Sequence, residues 1–333
     1  MRRPTIIDVA RHAGVSWKTV ARVVNREPGV RADTVARVEA SIAALAYRPN
    51  TAARALAAER TFLIGMLSVA LSAHYSVAFS RGGAEICRQR GYHLVLEHID
   101  LDDADIASQL DRMLRTADLH GVIVPPPMCN DPGLLETLSR WKMPAVLIDP
   151  IDRQCGLPFV QIDDEAGIDD LVAYAVAQGH RSFAIVEGPP THRAAIARRT
   201  AFHAAVARHG ASVSHSEAGA FTFTSGFEAG QRLFARSLHA SFVFATNDDM
   251  AAGVIAAAGQ AGVRVPEQLS VAGFDDSDVA RLTWPPLTTL RQPIEDIAAT
   301  AVDMLTRPAE AIPLTRSSFD VELMIRGSTS GAP

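Results

Sequence analysis

The chain runs to 333 residues, 48% of them hydrophobic, which is enough to bury more than one core and points to two or three domains. Its net charge of −5 does not mark the whole chain as a nucleic-acid binder, and no apolar run approaches the ~20 residues of a bilayer span. Cys87, Cys129 and Cys155 are too few and too scattered for a disulfide framework or a zinc site; three reduced thiols, with no apolar leader after Met1, suit a cytoplasmic protein.

The charge is unevenly spread. Residues 1–60 carry eleven Lys and Arg against five Asp and Glu, whereas the remainder carries twenty-one against thirty-two. A basic head on an acidic body concentrates attraction for phosphate at one end. Within the head, Ile6, Val9, Ala10 and Ala13 recur at helical spacing and Gly14 supplies a turn. Ser16 then stands where an N-cap belongs, ahead of a second helix over Trp17–Val24. Val20 and Val24 mark its inner face; Trp17, Lys18 and Arg22 mark its outer one. The pattern predicts a helix-turn-helix that places the second helix in a DNA major groove. An ordinary helical hairpin with a solvated charged face has the same local pattern. After the turn-rich NREPG, the spacing of Val35, Val38, Ile42 and Leu45 predicts a third helix from about Asp33, which closes a small core. Pro49 ends it, and Asn50 can cap the alanine-rich Thr51–Ala58, a segment too short to hold a helix alone and therefore a hinge.

From Phe62 the rhythm becomes strand, helix, strand. Phe62–Val69, His93–Ile99, Gly121–Val124 and Ala145–Ile148 read as buried strands, separated by amphipathic stretches at Val77–Arg90, Ala104–Thr116 and Pro132–Trp141. A second set comprises Phe159–Ile162, Phe183–Val186, Ser241–Ala245 and Leu269–Phe274, with helices near Glu165–Gln178, Ala194–Arg208, Ser225–Arg236 and Asp248–Ala261. Beyond Leu287 come one strand, a helix over Ile294–Thr306 and a last strand over Ser318–Ile325. The alternation predicts an α/β core of two doubly wound parallel-sheet lobes, with a ligand cleft between them at the carboxyl ends of the strands. No GxGxxG, P-loop, GxSxG, HExxH or paired Cys/His site is present, so nothing in the sequence supports an enzyme, a cofactor or a metal. DLDDAD at Asp100–Asp105 lacks the glycine and glutamate of a calcium loop and reads as a solvated helix start. His180 and Arg181, just before a strand, read as a structural corner.

Five stretches in order give the chain a resemblance to the LacI/GalR family of bacterial transcription repressors over nearly its whole length. They are DVARHAGVSWKTVARVVN, YRPNTAARAL, GHRSFAIVEGP, ATNDDMAAGV, and VAGFDDS followed by PPLTTLRQP. The resemblance implies a headpiece over 1–48, a hinge helix and linker over 49–60, and a two-lobed core over 61–333 like periplasmic sugar-binding proteins. The first lobe would take about 61–161 plus 292–320, the second about 162–291 plus 321–333. It also implies a homodimer on a palindromic double-stranded operator and a small-molecule effector of the sugar type, with no membrane partner.

Carried over residue by residue, Trp17, Lys18 and Arg22 take the base-reading positions, and Arg22 suits guanine because its fork matches O6 and N7. Lys18 is equally suited to a phosphate, and Trp17 to a partly buried position. Thr5, Ser16, Thr19 and Asn25 take further DNA positions, with Ser16 and Thr19 suited to phosphate. Asn50 and Ala53 lie within the hinge helix, and Leu56, beside Ala53, is the wedge that opens a minor-groove step. Ala21 departs from the family's serine, and Arg31 from its serine cap, so Asp33 is expected to cap the third helix. The effector positions fall on Tyr75, Asp149, Arg198, Phe221, Asn247, Asp275 and Gln292. Carboxylates, amides and a guanidinium around an aromatic face suit vicinal hydroxyls. Asp248 and Asp276 are expected to cap helices instead, and one of Arg198 and Arg199 to face solvent. A sugar-binding transport protein would share the core but needs no basic headpiece. A co-repressed or activating regulator with a non-sugar effector is the alternative within the family, and no appended leucine heptad suggests more than a dimer.

Overall fold

The computed structural model describes residues 4–24, 29–47, 61–68, 73–101, 105–190, 192–236, 239–307 and 315–333. It divides into two compact units, Met1–Phe62 and Leu63–Pro333. The hinge segment 49–60, with Asn50, Ala53 and Leu56, lies outside the described residues, as does Asn25.

Among its described residues the first unit holds three helices, α1 (Ile6–Ala13), α2 (Trp17–Val24) and α3 (Ala32–Ala44). Thr5 caps α1 in a capping box with Asp8, which satisfies two otherwise orphaned amides. Gly14 ends it at φ 64, a left-handed conformation that costs an L-residue with a Cβ energy. Val9, Ala10, Ala13, Val20 and Val38 form the closed core, so each helix contributes the apolar stripe its spacing foretold. Asp33 does not cap α3. The helix already starts at Ala32, which places Asp33 inside the first turn, where its carboxylate accepts from Thr34 N at 2.8 Å. Arg31 occupies the cap position without a side-chain bond.

The second unit contains two six-stranded sheets. The first is built from β1 (Leu63–Ser68), β2 (His93–His98), β3 (Gly121–Val124), β4 (Ala145–Ile148), β5 (Phe159–Asp163) and β11 (Arg316–Asp320), in spatial order β11-β5-β4-β3-β1-β2 and parallel throughout. The second is built from β6 (Ser182–Glu187), β7 (Ser212–Ala218), β8 (Phe242–Ala245), β9 (Ser270–Asp275), β10 (Thr288–Arg291) and β12 (Glu322–Met324), in order β12-β10-β9-β8-β6-β7. Only β12 in this sheet runs antiparallel, against β10. Every residue of β3, β4 and β8 is buried, as continuous apolar runs are when helices cover both faces of a sheet.

Three features depart from the apolar rhythm read along the chain. β5 was expected to open the second set, but it pairs with β4 and β11 and so completes the first sheet. The last strand is broken at the buried Val321: β11 closes one sheet and β12 the other. The polar edge strand β7, SVSHSEA, was not foreseen, because it alternates between exposed and half-buried positions with little apolar signal. The chain consequently crosses between lobes three times, after β5, after β10 and at Val321. Gly167 lets the crossovers pack closely, since a Cβ there would lie 2.0 Å from Val321 Cγ2.

Candidate functional site

On the headpiece, α2 presents one polar face. Trp17 is 54% exposed rather than part of the core, and Lys18 Nζ lies 5.9 Å from its ring centroid. Arg22 is exposed one turn further along the same face. Ser16 Oγ accepts from Thr19 N at 3.1 Å, the capping bond its position foretold, and meets Thr19 Oγ1 at 2.9 Å. Thr5 is half-buried and engaged in its own cap. These side chains make a compact basic and hydroxyl surface on one short helix, a shape that fits a major groove.

In the second unit, a cavity of about 100 Å³ opens where the carboxyl ends of the two sheets meet. Tyr75, Asp149, Arg198, Phe221, Asn247, Asp275 and Gln292 all line it, so the structure brings the seven positions together from across more than two hundred residues. Topology explains the gathering. Asp149 follows β4, Asn247 follows β8, Asp275 ends β9 and Gln292 follows β10, and parallel sheets present such positions to a common crevice. The backbone is strained there: Asp149, Phe221 and Asp275 hold φ values of 47°, 59° and 113°, a region that costs non-glycine residues of order 1–3 kcal/mol each. Gly188 makes the room, because a Cβ on it would stand 2.3 Å from Phe221 Cζ.

Arg198 is the centre of the polar wall. Its Nε donates to Asp164 Oδ2 at 3.3 Å and its Nη1 to Thr246 O at 2.8 Å. Its Nη2 lies 3.7 Å from Asp275 Oδ1, and its guanidinium carbon sits 3.6 Å from the Phe274 ring centroid. Arg199, its neighbour, faces outward toward Glu187. Gln292 Nε2 donates to Asp275 Oδ1 at 2.6 Å, which fixes Gln292 Oε1 as the free end of that amide. Asp149 Oδ2 accepts from Arg193 Nη1 at 2.6 Å. Burial pushes the Asp149 and Asp275 carboxyls up to about 6, against the pull of Arg193 and Arg198 respectively. Burial likewise raises Asp164 despite Arg198, and lowers His192 to about 4, so its imidazole is neutral. Tyr75 stacks on Phe79 with centroids 5.5 Å apart, and burial raises its hydroxyl pKa as well.

Two assignments change. Asn247, not Asp248, caps helix Asp248–Gln260: its Oδ1 accepts from Met250 N at 3.0 Å, and its Nδ2 donates to Phe221 O at 3.0 Å. Asp248 sits behind the cleft, accepting from Ser277 N and Thr289 Oγ1, with its carboxyl pushed up to about 8 by burial and then by Asp275. Asp276 caps nothing either; Arg281, Arg291 and Arg326 surround it, and their bonds outweigh burial and hold its pKa low. His180 is the corner it was read as, bonded to Ser241 Oγ and Ser330 O.

Asp164 and His192 line the cleft and were missed. Asp164 sits immediately beyond β5, the same signal that exposed Asp149, whereas His192 carries no local signal. Asp149 Oδ1, Asp164 Oδ1, Gln292 Oε1 and His192 Nδ1 are buried without a hydrogen bond among the described residues. Three of the four are oxygens that can only accept while the carboxylates are ionised.

Comparison with known proteins identifies what the two units resemble. Residues 5–50 match the lacI family of bacterial regulatory proteins, and residues 172–329 match a periplasmic binding protein-like domain. The ribose operon repressor of Escherichia coli K12 is 33% identical over 331 residues, covering 97% of this chain and 99% of that protein. Catabolite control protein A of Priestia megaterium is 32% identical, covering 91% and 92%. The crystal structure of the lac repressor dimer bound to operator and the anti-inducer ONPF superposes with a TM-score of 0.81 at 28% identity, covering 99% of this chain and 100% of that one.

Proposed function

This chain belongs to the lacI family of bacterial regulatory proteins, and from that premise we propose that it is a repressor of carbohydrate-utilisation genes released from its operator by an uncharged sugar. It is a DNA-binding transcription regulator, and the observation that carries the sugar reading is the set of unsatisfied acceptors in the cleft. Buried acceptors cost free energy unless a donor reaches them. A polyhydroxy ligand brings many donors; an ionised phosphate or carboxylate group brings none and would face the like charges of Asp149, Asp164 and Asp275. Arg198, the one guanidinium among the described residues lining the cleft, is already committed to two of those carboxylates. Phe221, edge-on to His192 at 5.3 Å, supplies an apolar face for a sugar ring.

Trp17, Lys18 and Arg22 read the operator's bases, with Arg22 on guanine, while Thr5, Ser16 and Thr19 set register on phosphates. The working unit is a homodimer on a palindrome in the cytoplasm, acting by regulation and not by catalysis. No helix among the described residues is long and apolar enough to cross a membrane. Sugar binding and operator binding are reciprocal: the ligand that weakens one complex is itself held less tightly by it.

The test is fluorescence-anisotropy binding of the full chain to DNA upstream of its own gene cluster, at fixed salt, with a panel of neutral and phosphorylated sugars. Release by a neutral sugar is the expected result. Release only by a phosphorylated or nucleobase ligand, or tightening by any ligand, overturns the sugar-induced reading.

A further inference from the structure

A second cleft, of about 660 Å³, adjoins the first. It lies between the segment after β4, strand β5 and helix Arg193–Arg208, and among its lining residues are Ile151, Arg153, Gln161, Arg193, Ile196 and Thr200. Ile162 and Asp164 line both cavities, so the two share a wall. The remainder of that partition is Asp149 on the inner side, with Arg193 at 2.6 Å and Arg153 at 3.9 Å on the outer. The inner space is small beside the outer one. We propose that the two clefts form one extended site, and that the effector is a di- or oligosaccharide whose terminal unit sits inside while the next unit lies outside, across Asp164.

The chemistry of the partition favours a single ligand spanning it. Asp164 is 92% buried by side chain, its Oδ2 bonded to Arg198 and its Oδ1 unsatisfied, so it offers a fixed acceptor at the junction. Gln161 repeats the pattern in the outer cleft: its Nε2 donates to Ser318 Oγ at 3.0 Å, which leaves its buried Oε1 without a hydrogen bond among the described residues. Arg153 and Thr200 supply donors. Ile151 and Ile196 are large aliphatic side chains left 62% and 39% exposed in the same cleft, and they suit the C–H face of a pyranose or furanose unit. A linked second unit also binds at high effective concentration once the first is seated, so modest outer contacts translate into affinity.

This inference rests on the sugar reading of the inner cleft, and the experiment separates the two. Calorimetric titration of the full-length protein compares matched probes: glucose with cellobiose and maltose, galactose with lactose, xylose with xylobiose. The expected result is one disaccharide binding at least tenfold more tightly than its monosaccharide. Ile196→Trp, which fills the outer cleft, and Arg153→Ala should each bring that ratio toward one, with thermal melting confirming that both variants fold. A monosaccharide that binds as tightly as its disaccharides, with a ratio indifferent to both substitutions, overturns the extended site and leaves the sugar reading intact. Two monosaccharides bound per protomer would make the outer cleft an independent site and likewise overturn it. Failure of every neutral sugar to bind overturns the sugar reading and this inference together.

Discussion

The two lobes meet the same cleft with opposite chemistry. The first lobe presents mainly apolar groups, Met66, Leu67, Tyr75, Phe79, Pro125 and Pro126, interrupted by the hydroxyls of Ser68 and Ser76. The second presents His192, Arg198, Asn247 and Asp275, joined by Asp164 and Gln292 at the crossovers. Asp149 is the first lobe's one carboxylate in the cleft, and it is held across the cleft by Arg193. The division of labour follows from physics. A polar wall cross-braced by Arg198 fixes directions for hydroxyl groups, whereas an apolar wall fixes none and instead gains free energy whenever closure removes it from water. Under the proposed function, directional recognition falls to the second lobe together with Asp149, and the apolar side chains of the first lobe favour closure.

The sharpest way to break that contrast is at Arg198. Replacing it with leucine strands Asp164 and Asp275 in a buried site, and losing one partner of a buried ionic cluster costs about 3–5 kcal/mol. Urea denaturation of Arg198→Leu should show a loss of that size. A loss below about 1 kcal/mol would mean the polar wall is not a braced template.

Asp275→Asn is milder, because the amide keeps the shape and one acceptor oxygen while losing the charge and the second acceptor. Hydrogen bonds to charged groups contribute about 1.5–3 kcal/mol, so effector affinity should fall more than tenfold while operator binding by anisotropy stays intact. A variant that still releases DNA at the wild-type sugar concentration would remove Asp275 from recognition.

The sequence made much of this contrast legible, for a simple reason. The family resemblance names Asp149, Asn247 and Asp275, and local pattern agrees with it, because positions at the carboxyl ends of strands in a parallel sheet border the crevice. Apolar runs fixed the interior strands equally well. Pairing partners could not be read this way: β5 carries no mark that sends it to the first sheet, and the break at Val321 follows from the two lobes competing for one strand. Which polar atoms stay unsatisfied was also hidden. Asn247 reads like a ligand in the string ATND, yet its amide is committed to Met250 and Phe221. Asp164 reads like a helix start, yet one of its oxygens is buried and empty-handed.

On the apolar wall the expected effects are smaller and less selective. Tyr75→Leu removes a ring stacked on Phe79, and such pairs contribute about 0.5–1.5 kcal/mol beyond their buried area. Every sugar in a titration series should lose affinity by a similar factor, with the rank order unchanged. A change of rank would show that the first lobe reads the ligand as well as covering it.

The finest separation comes from pH, because the titrating carboxyls face the cleft from both lobes, Asp149 from the first and Asp275 from the second, whereas the apolar side chains of the first lobe do not titrate. Asp149 and Asp275 have folded values of about 6, raised by burial above the ~3.9 of an unfolded aspartate. Between about pH 4 and 6 the folded core therefore holds protons that the unfolded chain has released. Their contribution to stability is fully present below the unfolded value and is lost as pH rises through about 6. Taking the ligand-free protein from pH 7 to 5 should restore about 1 kcal/mol per group, measured as the difference between wild type and Asp275→Asn in denaturation at the two pH values. Sugar affinity should move the other way, since each proton taken up converts an acceptor oxygen into a donor facing a hydroxyl that needs to donate. Opposite slopes for stability and affinity over the same pH interval are the signature of a recognition wall built from buried carboxylates. Parallel slopes would instead mean that closure against the apolar wall, and not the ionised acceptors, governs how tightly the effector is held.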